Sequence, residues 1–273
     1  HEYLDLSLED FTLPKTVLGE ILESGQPLLR TEFTKTLLNH YSASALMGKS
    51  IKDKRGGRNN IHSWDVELKG SVNDDQKELL GLLLKERRKK CWAEKKGIKW
   101  MDGMPLTPSE IKSFYDPNGV FELSVLKELL DDLVQKGYLK YEHPKDLEHI
   151  ETLDKNGKPT YIKERRYRTD LPQGYNIVTG KLSFEVSKIL DSNEITPTLV
   201  ATDMARLAVV DGDGIRRLTV REGLRLFGFP ESYEMKVAPN TAFDLLGNTV
   251  PVPVIKQVSL QLLRQLIKNV KEN

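Results

Sequence analysis

Residues 216–230 read RRLTVREGLRLFGFP, and this stretch carries strong start and stop signals for a helix. Thr219 and Glu222 are three residues apart, which is the spacing of a capping box. In that motif each side chain accepts a hydrogen bond from the other residue's backbone N–H. Gly228 can adopt the left-handed conformation that ends many helices, and Pro230 prevents the helix from resuming. The stretch therefore predicts a short helix between Thr219 and Gly228.

Residues 242–254 read AFDLLGNTVPVPV and predict a turn. Gly247 and Asn248 supply unusual backbone angles, and the prolines that follow stiffen the chain. Residues 254–270 then predict an amphipathic helix. Its apolar face consists of Ile255, Val258, Leu262 and Leu266. Local physics alone gives helix, turn and helix, which two packed helices at the end of any domain would also show.

The order of residues is more specific than the secondary structure. It runs Arg-x-Leu-Thr-x-Arg-Glu-x-x-Arg-Leu-x-Gly-Phe-Pro over residues 216–230, followed by Gly-Asn-Thr-Val at residues 247–250. This pattern closely resembles the last two sequence motifs of the DNA (cytosine-5) methyltransferases. Val220, the Gly223-Leu224 pair and Phe227 depart from the family pattern, whereas the arginines, the glutamate and the Gly-Asn pair are kept.

The resemblance implies roles for individual residues. The last motif would supply part of an S-adenosylmethionine pocket. The residues that line this part would be Asn248, Thr249 and Val250. The preceding motif would brace a recognition domain against a catalytic domain, through the junction residues Arg216, Arg221, Glu222 and Arg225. We expect Arg221 and Glu222 to form a structural charged pair beside the helix start rather than to act in catalysis.

Composition excludes several classes of protein. The 273 residues carry a net charge of +1, so a surface for nucleic acid must come from local clusters of basic residues. No apolar run approaches the roughly 18 residues of a membrane span. The single cysteine, Cys91, excludes an intramolecular disulfide and favours a reducing, cytoplasmic location. The chain begins at His1, which leaves open whether a further segment precedes it.

Residues 49–70 form a basic segment around a flexible pair of glycines. A glycine-rich basic loop can bring backbone N–H groups and guanidinium groups close to phosphates. The candidate DNA contacts in this loop are Arg55, Arg58, Asn59 and Asn60. The alternative is a solvated basic turn, and the sequence does not separate the two.

Residues 72–99 predict one long helix whose second half, KERRKKCWAEKK, is strongly basic. Basic residues around the aromatic Trp92 suit a surface that contacts phosphates. A solvated helix face is the alternative, because that is what a run of charges usually forms. Cys91 follows a lysine in this run, and we expect it to be structural.

Residues 101–168 predict a compact insert of winged-helix type. Thr107 and Glu110 form a second capping box, and residues 124–136 predict a helix that ends at Gly137. This second helix carries three acidic residues, which would repel phosphates, so we expect it to stay out of a DNA groove. These acidic residues are Glu128, Asp131 and Asp132.

A strand over residues 138–141 and a hairpin complete the insert. The hairpin pairs residues 150–153 with 160–162 across the favoured Asn-Gly turn of the segment 154–157. Its return strand is basic, and the candidate DNA contacts there are Arg165, Arg166 and Arg168. We expect these arginines to contact DNA phosphates, because one guanidinium group can donate two parallel hydrogen bonds to a pair of phosphate oxygens.

Two more DNA contacts follow from the resemblance. Thr198-Leu199 stands where the family has a Thr-Leu pair in its target-recognition region. Residues 198–206 would then form a loop that enters the major groove, with Thr198 and Arg206 as its DNA-binding residues. An ordinary strand and turn is the alternative.

The catalytic chemistry of the family is missing from these residues. Methyl transfer to carbon 5 of cytosine needs a thiolate nucleophile, an acid near N3, bound S-adenosylmethionine and a cytosine flipped from the duplex. In the family these come from Pro-Cys, Glu-Asn-Val and Phe-x-Gly-x-Gly motifs, and none occurs here. We therefore expect no catalytic residue, no metal site and no activity from this chain alone.

The combined prediction is an α+β fold in three parts. Residues 1–49 would follow the catalytic domain, residues 50–215 would form the target-recognition domain with its insert at 101–168, and residues 216–273 would carry the last two motifs. The C-terminal helix would dock on a Rossmann-like methyltransferase domain.

The expected partners are double-stranded DNA and a catalytic portion, from the same enzyme or a separate subunit, in a bacterial restriction-modification system. A non-catalytic winged-helix DNA-binding protein is the rival hypothesis, and a structural scaffold is a third. A simple DNA reader has no use for the Gly-Asn-Thr-Val motif, which favours the methyltransferase.

Overall fold

The computed structural model describes residues 15–54, 56–99, 103–116, 122–153, 155–179, 184–199 and 201–272. The chain divides into two compact units. The first unit consists of residues 1–50 and 184–273, and the second consists of residues 51–183. The predicted DNA contact Arg55 and the predicted turn residue Asp154 lie outside the described residues.

Helices and strands are mixed along the chain. The α-helices are α1 (Glu32–His40), α2 (Asp74–Glu86), α3 (Lys90–Lys95), α4 (Pro108–Lys112), α5 (Leu123–Gln135), α6 (Ala201–Met204), α7 (Val220–Leu226), α8 (Pro239–Gly247) and α9 (Val252–Glu272). The strands are β1 (Ser50–Ile51), β2 (Asn60–Ile61), β3 (Leu139–Glu142), β4 (Lys145–Leu153), β5 (Pro159–Tyr167), β6 (Gly174–Ile177), β7 (Lys188–Leu190), β8 (Leu207–Asp211) and β9 (Gly214–Arg217). This mixture confirms the predicted α+β class.

In the first unit, a small sheet lies with the helices α7 and α8 around one apolar core. β7 runs parallel to β8, and β8 pairs with antiparallel β9. α7 and α8 approach closely because Gly223 has no side chain: a Cβ at that position would lie 2.8 Å from Leu246 Cδ1. The apolar core of the unit consists of Leu18, Leu190, Met204, Leu207, Val209, Leu218, Leu224, Phe227, Phe243 and Leu246.

The second unit packs α2 and α5 with the antiparallel pair of β3 and β6. Leucines recur at helical spacing in both helices, so each turns an apolar stripe inward. The fully buried members of these stripes are Leu79, Leu80, Leu83, Leu126, Leu130 and Leu133. Tyr138 closes one side of the core, and its hydroxyl donates to the carbonyl of Gly70 at 2.8 Å.

The predicted hairpin is confirmed and is longer than expected. β4 and β5 pair from Lys145 opposite Tyr167 to Leu153 opposite Pro159. Both predicted capping boxes, at α4 and at α7, are also present. Gly228 has φ of 73°, as a helix stop requires. α5 likewise ends before Gly137, which has φ of 77°.

The long helix predicted over residues 72–99 is wrong, because the structure contains two helices, α2 and α3. Arg87 caps α2, and its carbonyl accepts the N–H of Met104 at 2.7 Å rather than a helical partner. Lys89 is extended, with φ of −72° and ψ of 135°, and α3 starts after it. The basic run is therefore divided between two helices, which its amino-acid composition does not indicate.

The predicted turn at residues 247–248 is also wrong in its geometry. Gly247 is the last residue of α8, and Asn248 caps that helix with φ of −97° and ψ of 1°. α8 begins with Pro239 at its first turn, a start signal that favours a helix. Near the start of the described chain, Leu18–Ile21 form a short 3-10 turn.

α9 confirms the predicted C-terminal helix, but several of its apolar side chains are exposed. Ile255 is 51% exposed, Leu263 54%, Leu266 52% and Ile267 55%. Within the described part of the chain, no helix combines the length and the hydropathy that a membrane span needs.

Candidate nucleic-acid interface and motif network

Arg216 lies at the centre of a buried ionic network in the first unit. Its side chain is 1% exposed. Nη1 donates to Glu222 Oε2 at 3.0 Å and Nη2 to Glu222 Oε1 at 2.8 Å, so the pair is bidentate. Nε donates to Asp211 Oδ2 at 2.7 Å. The ion pair expected between Arg221 and Glu222 is therefore formed by Arg216 and Glu222.

The network ties three segments of the first unit together. Glu222 also accepts the N–H of Glu23 at 2.7 Å and that of Thr219 at 2.8 Å. Arg216 Nη2 donates to the carbonyl of Glu23 at 2.8 Å. Burial lowers the pKa of Arg216, but the hydrogen bonds to Glu222 and Asp211 outweigh it, so the net shift is upward. The guanidinium stays charged, and both Glu222 oxygens are used in holding the fold.

The two other arginines of the motif lie at the surface of the same unit. Arg221 Nη2 donates to the carbonyl of Tyr233 at 2.9 Å. Arg225 forms a bidentate pair with Glu231, at 2.8 Å and 3.0 Å, and donates to the carbonyl of Ile21 at 3.1 Å. The predicted junction residues therefore take part in fixing local structure, each through a different partner.

The three predicted cofactor residues follow α8. Asn248 Nδ2 donates to the carbonyl of Asp244 at 2.8 Å, and the N–H of Thr249 donates to the carbonyl of Leu246 at 3.0 Å. Asn248 is exposed, and Val250 is 52% exposed. The segment therefore presents an amide and an isopropyl group at the surface, with the hydroxyl of half-buried Thr249 between them.

The basic strand β5 splits its arginines between two faces. Arg165 and Arg166 are neighbours, so their side chains point to opposite faces of the hairpin. Arg166 Nε donates to Glu164 Oε2 at 3.2 Å and lies 3.8 Å from Glu148 Oε2. The structure thus places carboxylates beside Arg166.

Arg168, just beyond the strand, is held by Asp170. Nε and Nη2 of Arg168 donate to the two oxygens of Asp170, at 2.8 Å and 2.6 Å. The hydrogen bond from Arg168 lowers the pKa of Asp170. Of the three predicted arginines of this segment, Arg165 is the one that lines a cavity.

The glycine-rich loop of the second unit ends in a turn over residues 57–60, where β2 begins. The N–H of Asn60 donates to the carbonyl of Gly57 at 3.0 Å, and Arg58 and Asn59 are exposed at its tip. Below the turn, the carboxylate of Asp53 accepts the N–H and the hydroxyl of Ser63, at 2.7 Å and 2.8 Å. Burial raises the pKa of Asp53 although these hydrogen bonds oppose it.

The predicted groove loop lies in the first unit. Thr198 is exposed and precedes the short helix α6. After α6, the N–H of Arg206 donates to the carbonyl of Asp203 at 2.9 Å, and the Arg206 carbonyl accepts the N–H of Ser187 at 2.9 Å. The backbone of Arg206 is thus anchored next to β8.

A cavity of about 160 Å³ in the second unit joins Arg165 to residues that the sequence did not single out. It lies where the hairpin base meets β3 and β6, and its charged and amide lining is Arg87, Lys140, Glu142, Lys145, Arg165 and Asn176. Arg87 is 2% exposed, and its Nη1 donates to Asn176 Oδ1. Arg87 stands in a long basic run whose residues look alike in sequence, so only the break after α2 reveals its position.

Comparison with known proteins identifies the family. The sequence model of the family described as C-5 cytosine-specific DNA methylase matches residues 87–264. The chain is 53% identical over 263 residues to Type II methyltransferase M.NlaIV of Neisseria lactamica. It is 52% identical over 263 residues to Type II methyltransferase M.NgoBV of Neisseria gonorrhoeae. Both alignments cover 96% of this chain and 57% of the relative.

A more distant relative extends the match beyond Neisseria. Type II methyltransferase M.HgiCI of Herpetosiphon aurantiacus is 34% identical over 219 residues, which are 80% of this chain and 42% of the relative. The chain spans about half the length of the curated relatives that it matches. It belongs to the C-5 cytosine-specific DNA methylase family.

Proposed function

We propose that this chain is the DNA-recognition portion of a DNA (cytosine-5) methyltransferase. The complete enzyme transfers a methyl group from S-adenosylmethionine to a cytosine flipped out of duplex DNA, in the cytoplasm and within a bacterial restriction-modification system. The observation that carries the proposal is the family match over residues 87–264, together with relatives named Type II methyltransferases. The recognition domain would occupy residues 50–215.

The remaining part of the enzyme would supply the catalytic chemistry. The one cysteine of the chain, Cys91, follows Lys90 rather than a proline, and it is exposed on α3. No Pro-Cys, Glu-Asn-Val or Phe-x-Gly-x-Gly sequence occurs in the 273 residues. A thiolate and an acid from another portion would therefore act on a cytosine that this chain helps to position.

The exposed edge after α8 fits one wall of a cofactor site. S-adenosylmethionine would supply the methyl group. Asn248, Thr249 and Val250 would contact it through an amide, a hydroxyl and an apolar side chain, respectively. Their exposure is consistent with a site that the catalytic portion completes.

The apolar face of α9 supports the same arrangement. Exposed Val254, Ile255, Leu263, Leu266 and Ile267 lie along one helix that continues directly from the cofactor motif. Contiguous exposed apolar surface marks sites of protein association. A Rossmann-like domain from the remaining half of the enzyme would cover this face.

The insert of the second unit would present its hairpin, rather than α5, to DNA. The acidic side chains of α5 hold the fold: Asp131 accepts the hydroxyl of Tyr175 at 2.6 Å, and Asp132 accepts from Gln76 at 2.6 Å and from Lys136 at 2.6 Å. Negative charge on α5 would repel phosphates. A winged-helix arrangement in which the wing, β4–β5, makes the contact therefore fits these charges better than a recognition helix does.

Duplex binding tests the proposal. We expect the purified chain to bind fluorescently labelled duplex DNA, with an affinity that falls steeply as salt increases because Lys and Arg displace counterions from phosphates. Fluorescence anisotropy over a salt series measures both affinity and slope. Failure to bind any duplex at low salt would contradict a recognition role and favour a structural scaffold.

A further inference from the structure

The hairpin β4–β5 is exposed to solvent on both of its faces. Among the strands that the structure describes, β4 and β5 pair only with each other. Neighbouring side chains of a strand point to opposite faces, yet Tyr161 is 67% exposed and Ile162 is 49% exposed. Every residue from 161 to 167 is exposed. Either face could therefore meet a large partner, and the charges of the two faces decide which partner each one fits.

Strand alternation assigns each hairpin side chain to a face. Residues directly opposite each other on the two strands share a face, and both members of every pair are odd-numbered or both are even-numbered. Two contacts agree with this assignment. The ammonium of Lys145 lies 4.3 Å from the centre of the ring of its partner Tyr167. Arg166 Nε lies 3.8 Å from Oε2 of Glu148, another even-numbered residue.

The two faces carry opposite charge. We call the odd-numbered side the basic face: its ionised residues are Lys145, Glu151, Lys163 and Arg165. We call the even-numbered side the acidic face: its ionised residues are Asp146, Glu148, Glu164 and Arg166. Near the middle of the hairpin, Lys163 stands opposite His149 on the basic face, and the next pair is Glu164 opposite Glu148 on the acidic face.

Arg166 belongs to the internal structure of the acidic face. Like charges directly opposite each other destabilise a pair of strands, which is the situation of Glu148 and Glu164. Arg166 Nε donates to Glu164 Oε2 at 3.2 Å and lies 3.8 Å from Glu148 Oε2, so it reduces this repulsion. With its one cation placed between two carboxylates, the acidic face would repel a phosphate.

The exposed part of the basic face has the donors that a DNA backbone needs. Lys145 and Arg165 line the cavity at the hairpin base, whereas Lys163 lies farther out and is exposed. Tyr161 is two residues away on the same face, and His149 is exposed opposite Lys163. Lysine and tyrosine side chains are among the groups that hydrogen-bond to phosphate and sugar oxygens in protein–DNA complexes.

We propose that the basic face, centred on His149, Tyr161 and Lys163, is the side of the hairpin that lies against the sugar–phosphate backbone of duplex DNA, with the acidic face turned away. This inference rests on the DNA-recognition role given above and deepens it. The contact would set the position of the chain on the duplex, since backbone contacts fix register while base contacts read sequence.

The two faces supply two matched pairs of exposed variants. Lys163→Gln and Arg166→Gln each remove one positive charge from β5, on opposite faces. Glu151→Gln and Glu164→Gln each remove one negative charge, again on opposite faces. The full chain of each variant is titrated with a fluorescein-labelled duplex of mixed sequence over a salt series. Circular dichroism and urea unfolding check that each variant keeps the wild-type fold.

We expect Lys163→Gln to reduce the slope of log affinity against log salt by about 0.9, the value for one lost phosphate contact, and Arg166→Gln to leave the slope unchanged. Glu151→Gln should tighten duplex binding because it removes a charge that repels phosphates, whereas Glu164→Gln should not. An unchanged slope for Lys163→Gln would overturn the assignment of the face. A reduction for Arg166→Gln as large as that for Lys163→Gln, or equal tightening by both glutamate variants, would do the same.

Failure of this inference is distinguishable from failure of the recognition role. If wild type binds duplex with a steep salt dependence and all four variants match it, the basic face is refuted and the DNA-recognition role stands. If wild type binds no duplex, both are refuted.

Discussion

Among the described residues, two arginines are almost completely buried, one in each unit, and their surroundings differ. Arg216 in the first unit is 1% exposed and is held by the carboxylates of Glu222 and Asp211 and by backbone carbonyls. Arg87 in the second unit is 2% exposed, donates to the amide oxygen of Asn176 and lines a cavity with three further basic side chains.

The difference shows that burial alone does not define the role of a charged side chain. The carboxylates of Glu222 and Asp211 neutralise the charge of Arg216 locally, so this side chain serves to hold segments of the fold together. Arg87 instead donates to the amide of Asn176 at the wall of a cavity, so its side chain holds together polar groups from distant segments. The methylase-family motif contains Arg216, whereas Arg87 and its cavity lie outside that motif.

Breaking the Arg216 network should have the largest effect. Glu222→Ala leaves a buried guanidinium with one carboxylate partner fewer, and the loss of one partner from a buried pair costs about 3–5 kcal/mol of stability. All three tryptophans belong to the second unit, so circular dichroism reports both units and tryptophan fluorescence reports the second. In urea unfolding, the variant should show a transition at lower urea by circular dichroism, while the tryptophan fluorescence transition stays at its wild-type midpoint.

The control for that variant is Glu231→Ala, which removes the surface partner of Arg225. Exposed ion pairs contribute little, so its urea midpoint should match wild type. Equal shifts for the two variants would mean that the buried network is no more important than a surface pair.

A smaller effect is expected at the other arginine. Asn176→Ala removes the acceptor of Arg87 and the donor to Glu142 Oε1 and to the Gly103 carbonyl. A hydrogen bond to a charged group is worth about 1.5–3 kcal/mol. The tryptophan fluorescence transition should shift to lower urea, in contrast to Glu222→Ala. An unchanged transition would show that the back wall of the cavity is not organised by this amide.

The smallest effect is expected where the first unit carries an exposed hydroxyl rather than a buried charge. In the complete enzyme, Thr198→Ala should lose a hydrogen bond to a phosphate beside the flipped nucleotide, worth about 1 kcal/mol. Flipping costs least when the base is already mispaired, so methylation of a C·G pair should fall more than that of a mismatched cytosine. Equal losses on both substrates would assign Thr198 to the fold.

The sequence predicted those parts of the fold that depend on neighbouring residues. The capping boxes of α4 and α7, the stop at Gly228 and the β4–β5 hairpin need only local spacing, and all four are confirmed. The break between α2 and α3 depends instead on Arg87 and Met104, seventeen residues apart, whose contact no local pattern encodes.

The site was less predictable because partners come from distant segments. Glu222 was expected to pair with its neighbour Arg221, but the structure pairs it with Arg216 on β9 and with the backbone of Glu23. The arginines of β5 read alike in sequence, yet strand alternation places Arg165 at a cavity and Arg166 beside Glu164. The sequence shows which side chains are charged. Which opposite charges lie beside them depends on the three-dimensional fold.

Methyl transfer tests the central claim, that this chain supplies recognition and another portion supplies the chemistry. The chain is incubated with duplex DNA and labelled S-adenosylmethionine, first alone and then with the remaining portion of the enzyme. We expect no label in DNA from the chain alone, label after the two portions are combined, and full activity of the combination carrying Cys91→Ala. Label incorporated by the isolated chain, or activity lost with Cys91→Ala, would contradict the account.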